Sequence, residues 1–498
     1  MATTDVLDHW IDGAAHAGTG TRTGPVYDPA QGTVSKQVRL GSADDVDIAV
    51  RSATAAFADW SQVSLAKRQQ VMFAFRELLL ARKDELAQIL TAEHGKVLSD
   101  AGGEIARGIE VVEFACGAAS HLKGEYSVNV STGVDVYSLN QPLGVVGVIS
   151  PFNFPAMVPL WMIPNAIATG NTVVLKPSEK DPSAPLLIVE LLKRAGLPDG
   201  VVNLVQGDKV AVDRLLEHPD VAGVSFVGST PIARYVYETG TKTGKRVQAL
   251  GGAKNHMVVL PDADVDVAAD AAVSAAYGSA GERCMAVSVI VAVGDIADPL
   301  VDAIRQRIEK LTIGPGTEAT SEMGPLITAQ HRDTVASYLQ TAHDEGASVV
   351  VDGRDTAIEG DGFFLGVSLV DNVEPHHTVY RDEIFGPVLS IMRRDSYPEA
   401  VQLVNDNPWG NGAAIFTRDG GAARRFEVEA EAGMVGVNVP IPVPVGYYSF
   451  GGWKASLFGD THIYGPEGIH FYTRTKVVTT RWPDQETSSV DLGFPRTR

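Results

Sequence analysis

One thiol in this chain has neighbours suited to chemistry. Cys284 lies in Gly281-Glu282-Arg283-Cys284-Met285, next to an arginine in a loop that opens with glycine. The thiolate is the nucleophilic form of cysteine, and a neighbouring guanidinium favours it. Cys284 is therefore a candidate nucleophile held as thiolate. The other cysteine, Cys116, lies in the apolar run 111–119 and reads as a small buried hydrophobe. Attack on a carbonyl also needs donors for the oxyanion that develops. Asn153 has two amide N–H donors, in Pro151-Phe152-Asn153-Phe154-Pro155, a loop stiffened by two prolines. One such donor contributes about 3–4 kcal/mol to a transition state.

A second set of residues suits a nucleotide. The run 221–227 reads as a strand that enters Gly228-Ser229-Thr230-Pro231 and then a helix. Gly228 permits close backbone approach, Thr230 is a candidate cap, and Pro231 suits the first turn. Free N–H groups at such a helix start bind phosphate. The chain has no Gly-x-Gly-x-x-Gly, so the usual dinucleotide fingerprint is missing. Lys176-Pro177-Ser178-Glu179 follows the apolar run 172–175, at the carboxyl end of a predicted strand. Lys176 and Glu179 together can hold ribose hydroxyls. The acid would repel a 2′-phosphate, which favours NAD over NADP.

These residues need a scaffold of more than one core. At 498 residues, 45% hydrophobic and 20% charged, two or three domains are expected. With 41 basic and 61 acidic residues the net charge is −20, which argues against nucleic acid as a partner. Two cysteines build no disulfide framework and suit a reducing, cytoplasmic setting. Residues 1–10 lack the apolar core of a signal peptide. No run approaches the ~18 apolar residues of a membrane span.

Periodicity predicts a helix over 43–60 with Ser42 as cap, one long amphipathic helix over 64–94 stopped by Gly95, and a helix over 103–120. Residues 125–139 alternate as a hairpin. From 142 onward apolar runs alternate with helices. Strands are expected at 145–149, 172–175, 201–205, 221–227 and 257–260, with helices at 183–195, 209–216 and 231–240. A second block follows, with helices at 299–311, 329–344 and 398–405 and strands at 348–351 and 388–392. This rhythm predicts two α/β units built on doubly wound parallel sheets. Residues 483–498 read as a polar, extended tail.

The separate pieces form a recognisable series. Phe-Asn-Phe-Pro at 152–155, Lys-Pro-Ser-Glu at 176–179, Phe-Val-Gly-Ser-Thr at 226–230, Gly-Gly-Ala-Lys-Asn at 251–255, Gly-Glu-Arg-Cys at 281–284 and Glu-Ile-Phe-Gly-Pro at 383–387 follow one another along nearly the whole chain. In order and spacing they resemble the aldehyde dehydrogenase superfamily. Within it the chain is similar to the branch that acylates coenzyme A from semialdehyde acids. The pointers are Arg283 directly before Cys284, Lys254-Asn255-His256, the run 155–162, and Arg107 in the segment 107–113. Most members of the superfamily have a water-activating glutamate where this chain has Leu250. A one-residue shift of the alignment puts Ala249 there and restores no acid.

The resemblance implies a Rossmann-type NAD-binding domain from 1–122 and 142–252. It implies an α/β catalytic domain over 253–463 and a small β oligomerisation element from 123–141 and 464–498. Cys284 would attack the aldehyde, with Asn153 and the Cys284 N–H holding the oxyanion. Phe152, Lys176, Glu179, Gly228, Ser229, Leu250, Gly251, Glu383 and Phe385 would contact NAD. Glu383 would take the nicotinamide ribose and Phe385 the ring. Arg107 and Arg283 are the candidates for a substrate carboxylate, since guanidinium pairs with it in bidentate fashion. Coenzyme A would be the acyl acceptor, because a thiolate needs no base at 250. Methylmalonate semialdehyde would give propionyl-CoA and malonate semialdehyde acetyl-CoA. A homo-oligomer, dimer or tetramer, is expected, with no membrane partner. The competing reading is a hydrolytic NAD-dependent aldehyde dehydrogenase with its base elsewhere.

Overall fold

A computed structural model of the chain describes residues 5–482; the tail expected at 483–498 lies outside them. Two large sheets carry the fold. In the first, the order is Leu457–Phe458, Arg246–Leu250, Val221–Val227, Val145–Ile149, Thr172–Lys176, Val202–Leu204, His9–Ile11, Ala14–His16. The five central strands are parallel and the outer ones antiparallel. Central parallel strands are covered on both faces, so they are apolar throughout rather than alternating. All five residues of Val145–Ile149 are buried.

The chain leaves Val145–Ile149 towards one side of the sheet, for Thr172–Lys176 and Val202–Leu204. It then crosses back to lay Val221–Val227 on the other side. This reversal opens a crevice at the carboxyl ends of the strands, where α/β sheets bind ligands. Register aligns the crevice walls, because Ile149 pairs with both Lys176 and Phe226.

The second sheet runs Ser348–Val351, Ser368–Asp371, Val388–Arg394, Val287–Val293, Asn255–Val259, Gly412–Phe416, Met434–Val437. All but the first strand are parallel. Cys284 precedes Val287–Val293, and Glu383 and Phe385 precede Val388–Arg394. The amino ends of these strands thus face the carboxyl ends of the first sheet. One strand from the segment 253–463, Leu457–Phe458, returns to pair with Arg246–Leu250 at the edge of the first sheet. A third, small sheet joins Tyr126–Ser131, Val134–Pro142 and Thr473–Arg481 in antiparallel order. Among the described residues no helix is long and apolar enough to cross a membrane.

Most elements form where periodicity puts them, with two differences. The helix expected over 64–94 is two, Leu65–Ala81 and Lys83–His94, because Arg82 leaves helical geometry at φ −113° and ψ 16°. The apolar spacing from Leu79 to Leu86 runs on through the break, so periodicity does not reveal it. The helix expected over 103–120 is Leu98–Cys116, followed by a single 3-10 turn. Its buried face includes Ala101, Ile105, Ile109 and Val112, which leaves Arg107 on the outside.

Asn171 ties the small sheet to the first one. Its carbonyl oxygen accepts from Leu143 N at 2.7 Å and Gly144 N at 3.1 Å, and its amide donates to the carbonyls of Ala166 and Tyr472. It is fully buried. Asn171→Leu leaves these groups unpaired and is expected to cost about 3 kcal/mol, since an orphaned buried polar group costs ~1–3 kcal/mol. A urea unfolding midpoint equal to the wild type would refute it.

Candidate active site

A cleft of about 610 Å³ lies between the two facing sheet edges. Loops 150–153, 176–180 and 226–229 with Gly251 and Gly252 line it from the first sheet, and Cys284, His331, Glu383 and Phe385 line it from the segment 253–463. The structure thus brings together Cys284, Asn153, Phe152, Lys176, Glu179, Gly228, Ser229, Gly251, Glu383 and Phe385, ten residues the sequence singles out. It does not bring Leu250, Arg107 or Arg283 to the cleft wall.

Cys284 is held from behind. Its carbonyl accepts from the Asn255 amide at 2.9 Å and the Asn411 amide at 3.2 Å. The Asn255 amide also donates to Ala286. These two asparagines freeze the peptide plane after the thiol. Nothing in the sequence marked Asn411, whose role depends on a strand remote in the chain.

The expectation of a standing thiolate is not met. Burial pushes the Cys284 thiol up to about 12, and the Glu383 carboxylate pushes the same way. Backbone N–H groups and Arg283 offset little of this. The reason is where Arg283 points. Its Nη2 donates to Asp100 Oδ1 at 2.7 Å, and its guanidinium lies over Gly278, at a separate cavity of about 570 Å³.

Asn153 is buried with its side chain at the cleft, and among the described residues its amide has no protein partner. Its backbone is clamped instead. The Asn153 carbonyl accepts from Lys96 Nζ at 2.7 Å, and Lys96 also pairs with Glu104 at 2.6 Å. Glu104 in turn accepts from Ala156 N and Met157 N at the start of helix Met157–Ala168. Sequence reading passed over Lys96 and Glu104 because charged side chains in loops and on helices usually face water.

The nucleotide side is preformed. Lys176 Nζ lies 3.2 Å from Glu179. Ser229, not Thr230, takes the cap position of helix Thr230–Lys242, without a side-chain bond. The Thr230 hydroxyl accepts instead from Gly252 N and from the Trp409 indole, each at 2.9 Å. The bond from Trp409 joins the segment 253–463 to this edge of the first sheet. Glu383 Oε1 accepts from Ala253 N at 2.8 Å, and burial pushes its carboxyl up to about 7. A Cβ at residue 252 would sit 2.0 Å from Glu383 Oε2, so a side chain there would displace that carboxylate. Phe385, at φ 57°, meets Phe152 edge-on with centroids 5.9 Å apart, and its carbonyl lies 2.8 Å from His331 Nε2.

Leu250 ends strand Arg246–Leu250 and is 3% exposed. It belongs to the apolar cluster against which Cys284 packs. Arg107, on helix Leu98–Cys116, is 42% exposed and lies 3.0 Å from Glu110. Tyr464 feels the charges of both Arg107 and Cys284. Trp161 packs on Tyr464 and Phe450, with centroids 5.1 and 4.9 Å away, to complete an aromatic wall.

Because the free thiol is held well above the ordinary range, its protonated form dominates through neutral pH. Alkylation of Cys284 by iodoacetamide, without other ligands, should therefore climb about tenfold per pH unit from 7 to 10. A plateau near pH 8–9 would contradict this.

An aldehyde dehydrogenase family model matches residues 16–478. The malonate-semialdehyde dehydrogenase of Pseudomonas aeruginosa is 55% identical over 493 residues, 98% of this chain and 99% of that protein. The structure of methylmalonate-semialdehyde dehydrogenase from Oceanimonas doudoroffii is 52% identical, with TM-score 0.95, over 97% of this chain and 99% of that one. A Sinorhizobium meliloti structure complexed with NAD is 50% identical, with TM-score 0.96, over the same shares of the two chains. Fold, cleft and motif series agree with these likenesses: the chain belongs to the aldehyde dehydrogenase family.

Proposed function

We propose that this protein oxidises malonate or methylmalonate semialdehyde with NAD and, after loss of CO₂, passes the acyl group to coenzyme A. One observation carries the choice of acceptor. Leu250 puts an apolar, buried side chain where a hydrolytic relative has its base. The acid whose charge acts on Cys284, Glu383, is committed to the Ala253 N–H. Water at the thioester therefore lacks a base, whereas a thiol acceptor needs only its own ionisation. The names of the relatives support the choice of substrate.

NAD, when bound, supplies the hydride acceptor and a positive charge beside the thiol. Lys176 and Glu179 would hold one ribose, Glu383 the other, Ser229 and Gly228 the phosphates, and Phe385 with Phe152 would flank the ring. The Cys284 thiol gives its proton to solvent in the cleft, its sulfur bonds to the aldehyde carbon as the C=O π bond opens, and the Asn153 amide with the Cys284 N–H takes the oxyanion. Loss of hydride leaves a thioester on Cys284. The substrate carboxylate stands β to that thioester. Its departure as CO₂ leaves an enolate that the same two donors stabilise, and protonation gives the simple acyl group. The coenzyme A thiolate then bonds to the acyl carbon and the Cys284 sulfur leaves.

Arg107 is the group proposed to receive the substrate carboxylate. Its pair with Glu110 is exposed, and such pairs are worth only ~0–1 kcal/mol, so it yields readily to a better partner. The proposed domain division is 1–122 with 142–252, then 253–463. Residues 123–141 with 464–498 form the assembly element. Tyr126, Val128 and Val477 on its small sheet are over 60% exposed, which supports burial against another copy.

Two measurements test the reading. NADH formation from malonate semialdehyde should show a single burst without coenzyme A and sustained turnover to acetyl-CoA with it. Sustained turnover without coenzyme A would exclude the acylating function. Arg107→Leu should raise KM for semialdehyde acids about 10²-fold, the loss of a charge-assisted bidentate contact of ~3 kcal/mol. The KM for propanal should hardly change. Equal effects on both aldehydes would eliminate the carboxylate role.

A further inference from the structure

The turn that delivers Cys284 is strained, and its restraint comes from another part of the chain. Ser279, Ala280 and Gly281 are all left-handed, at φ 55°, 53° and 74°. For the two non-glycine residues this is costly and persists only where surroundings over-determine it. Gly281 allows the close pass over Gly386, where a Cβ would lie 2.2 Å from its carbonyl oxygen. On the other flank, Arg283 spans from the nucleophile's own neighbour to Asp100, in the first turn of helix Leu98–Cys116. Gly278 keeps the space beneath the guanidinium open, since a Cβ there would come 2.5 Å from Arg283 Nη1. Both ends of the Arg283–Asp100 bridge are largely buried, at 20% and 17% exposure. The remaining Asp100 oxygen and the Ser279 hydroxyl are buried without full hydrogen bonds, and both residues line the same cavity. Burial pushes the Asp100 carboxyl up, but Arg283 and Lys96 more than offset it and hold it below its usual range. The bridge is therefore charged throughout the neutral range.

We propose that Asp100 is a positioning residue for the acyl transfer: through Arg283 it holds the left-handed turn, and with it the Cys284 thiol and N–H, in register with Asn153. Lys96, Asp100, Glu104 and Arg107 occupy one stretch of 12 residues. This segment thus sets the oxyanion loop and the nucleophile loop together. The inference rests on Cys284 being the nucleophile.

The test is the pre-steady-state NADH burst with propanal, which has no carboxylate, alongside NAD affinity by fluorescence titration. Asp100→Asn should slow the burst about 10²-fold, the usual effect of misplacing a reacting group by ~1 Å. The burst with malonate semialdehyde should fall by the same factor, with NAD affinity kept. Arg283→Met should do the same, and the double variant should be no slower than the slower single one. Asp100→Glu, which keeps the charge one methylene further out, should recover part of the rate; it also replaces Asp100→Asn as the test variant if that protein does not fold. A wild-type burst in the Asp100 variants would overturn the proposal. So would a loss confined to the semialdehyde acid, or additive losses in the double variant. No burst in the wild type would instead remove Cys284 as nucleophile.

Discussion

The buried ion pair between Lys96 and Glu104 sets where the chemistry can happen. Both side chains are fully shielded from solvent, and taking two charges out of water costs several kcal/mol each. The cost is offset only because no hydrogen-bonding capacity is wasted. Lys96 donates to Glu104 and to the Asn153 carbonyl, and its ammonium lies 4.5 Å from the Phe154 ring centre. Glu104 accepts from two N–H groups that open helix Met157–Ala168, where the helix dipole favours a negative charge. The Asn153 loop therefore has one position, and its amide is presented to the cleft without a competing partner.

The rest of the site is arranged around that loop by the meeting of two sheets. Parallel sheets expose loops at both strand ends, and here the carboxyl ends of one face the amino ends of the other. The nucleotide loops come from the first edge. Cys284 and Glu383 come from the second. The bond from the Trp409 indole to the Thr230 hydroxyl ties the two parts together, and Gly252 N shares the same acceptor. Each contributor is a backbone-defined turn, so the cleft exists before anything enters it.

Burial shifts the titratable groups in and around the cleft towards their neutral forms. Burial raises Cys284 to about 12, Glu383 to about 7 and Glu282 to about 8, and it lowers Lys254 to about 8. A resting thiol avoids adventitious alkylation and oxidation, both of which need the thiolate. A cation beside the sulfur would tip the balance.

The strands, most helices and the motif loops were legible in the chain because they depend on local spacing. Apolar runs mark covered parallel strands, and Gly and Pro mark the turns between them. Cys284, Asn153, Lys176, Glu179 and Glu383 were legible because the motifs that carry them follow one another in the order and spacing of the family. The break at Arg82 was not, since the apolar stripe continues through it. Nor was the charge state of Cys284. Sequence shows Arg283 beside it, but only tertiary structure turns that guanidinium to Asp100, 183 residues away. Adjacency along a chain fixes a Cα separation and not a side-chain direction. Burial is decided by contacts between segments remote in sequence, and so are Asn411, Lys96 and Asp100 as parts of the site.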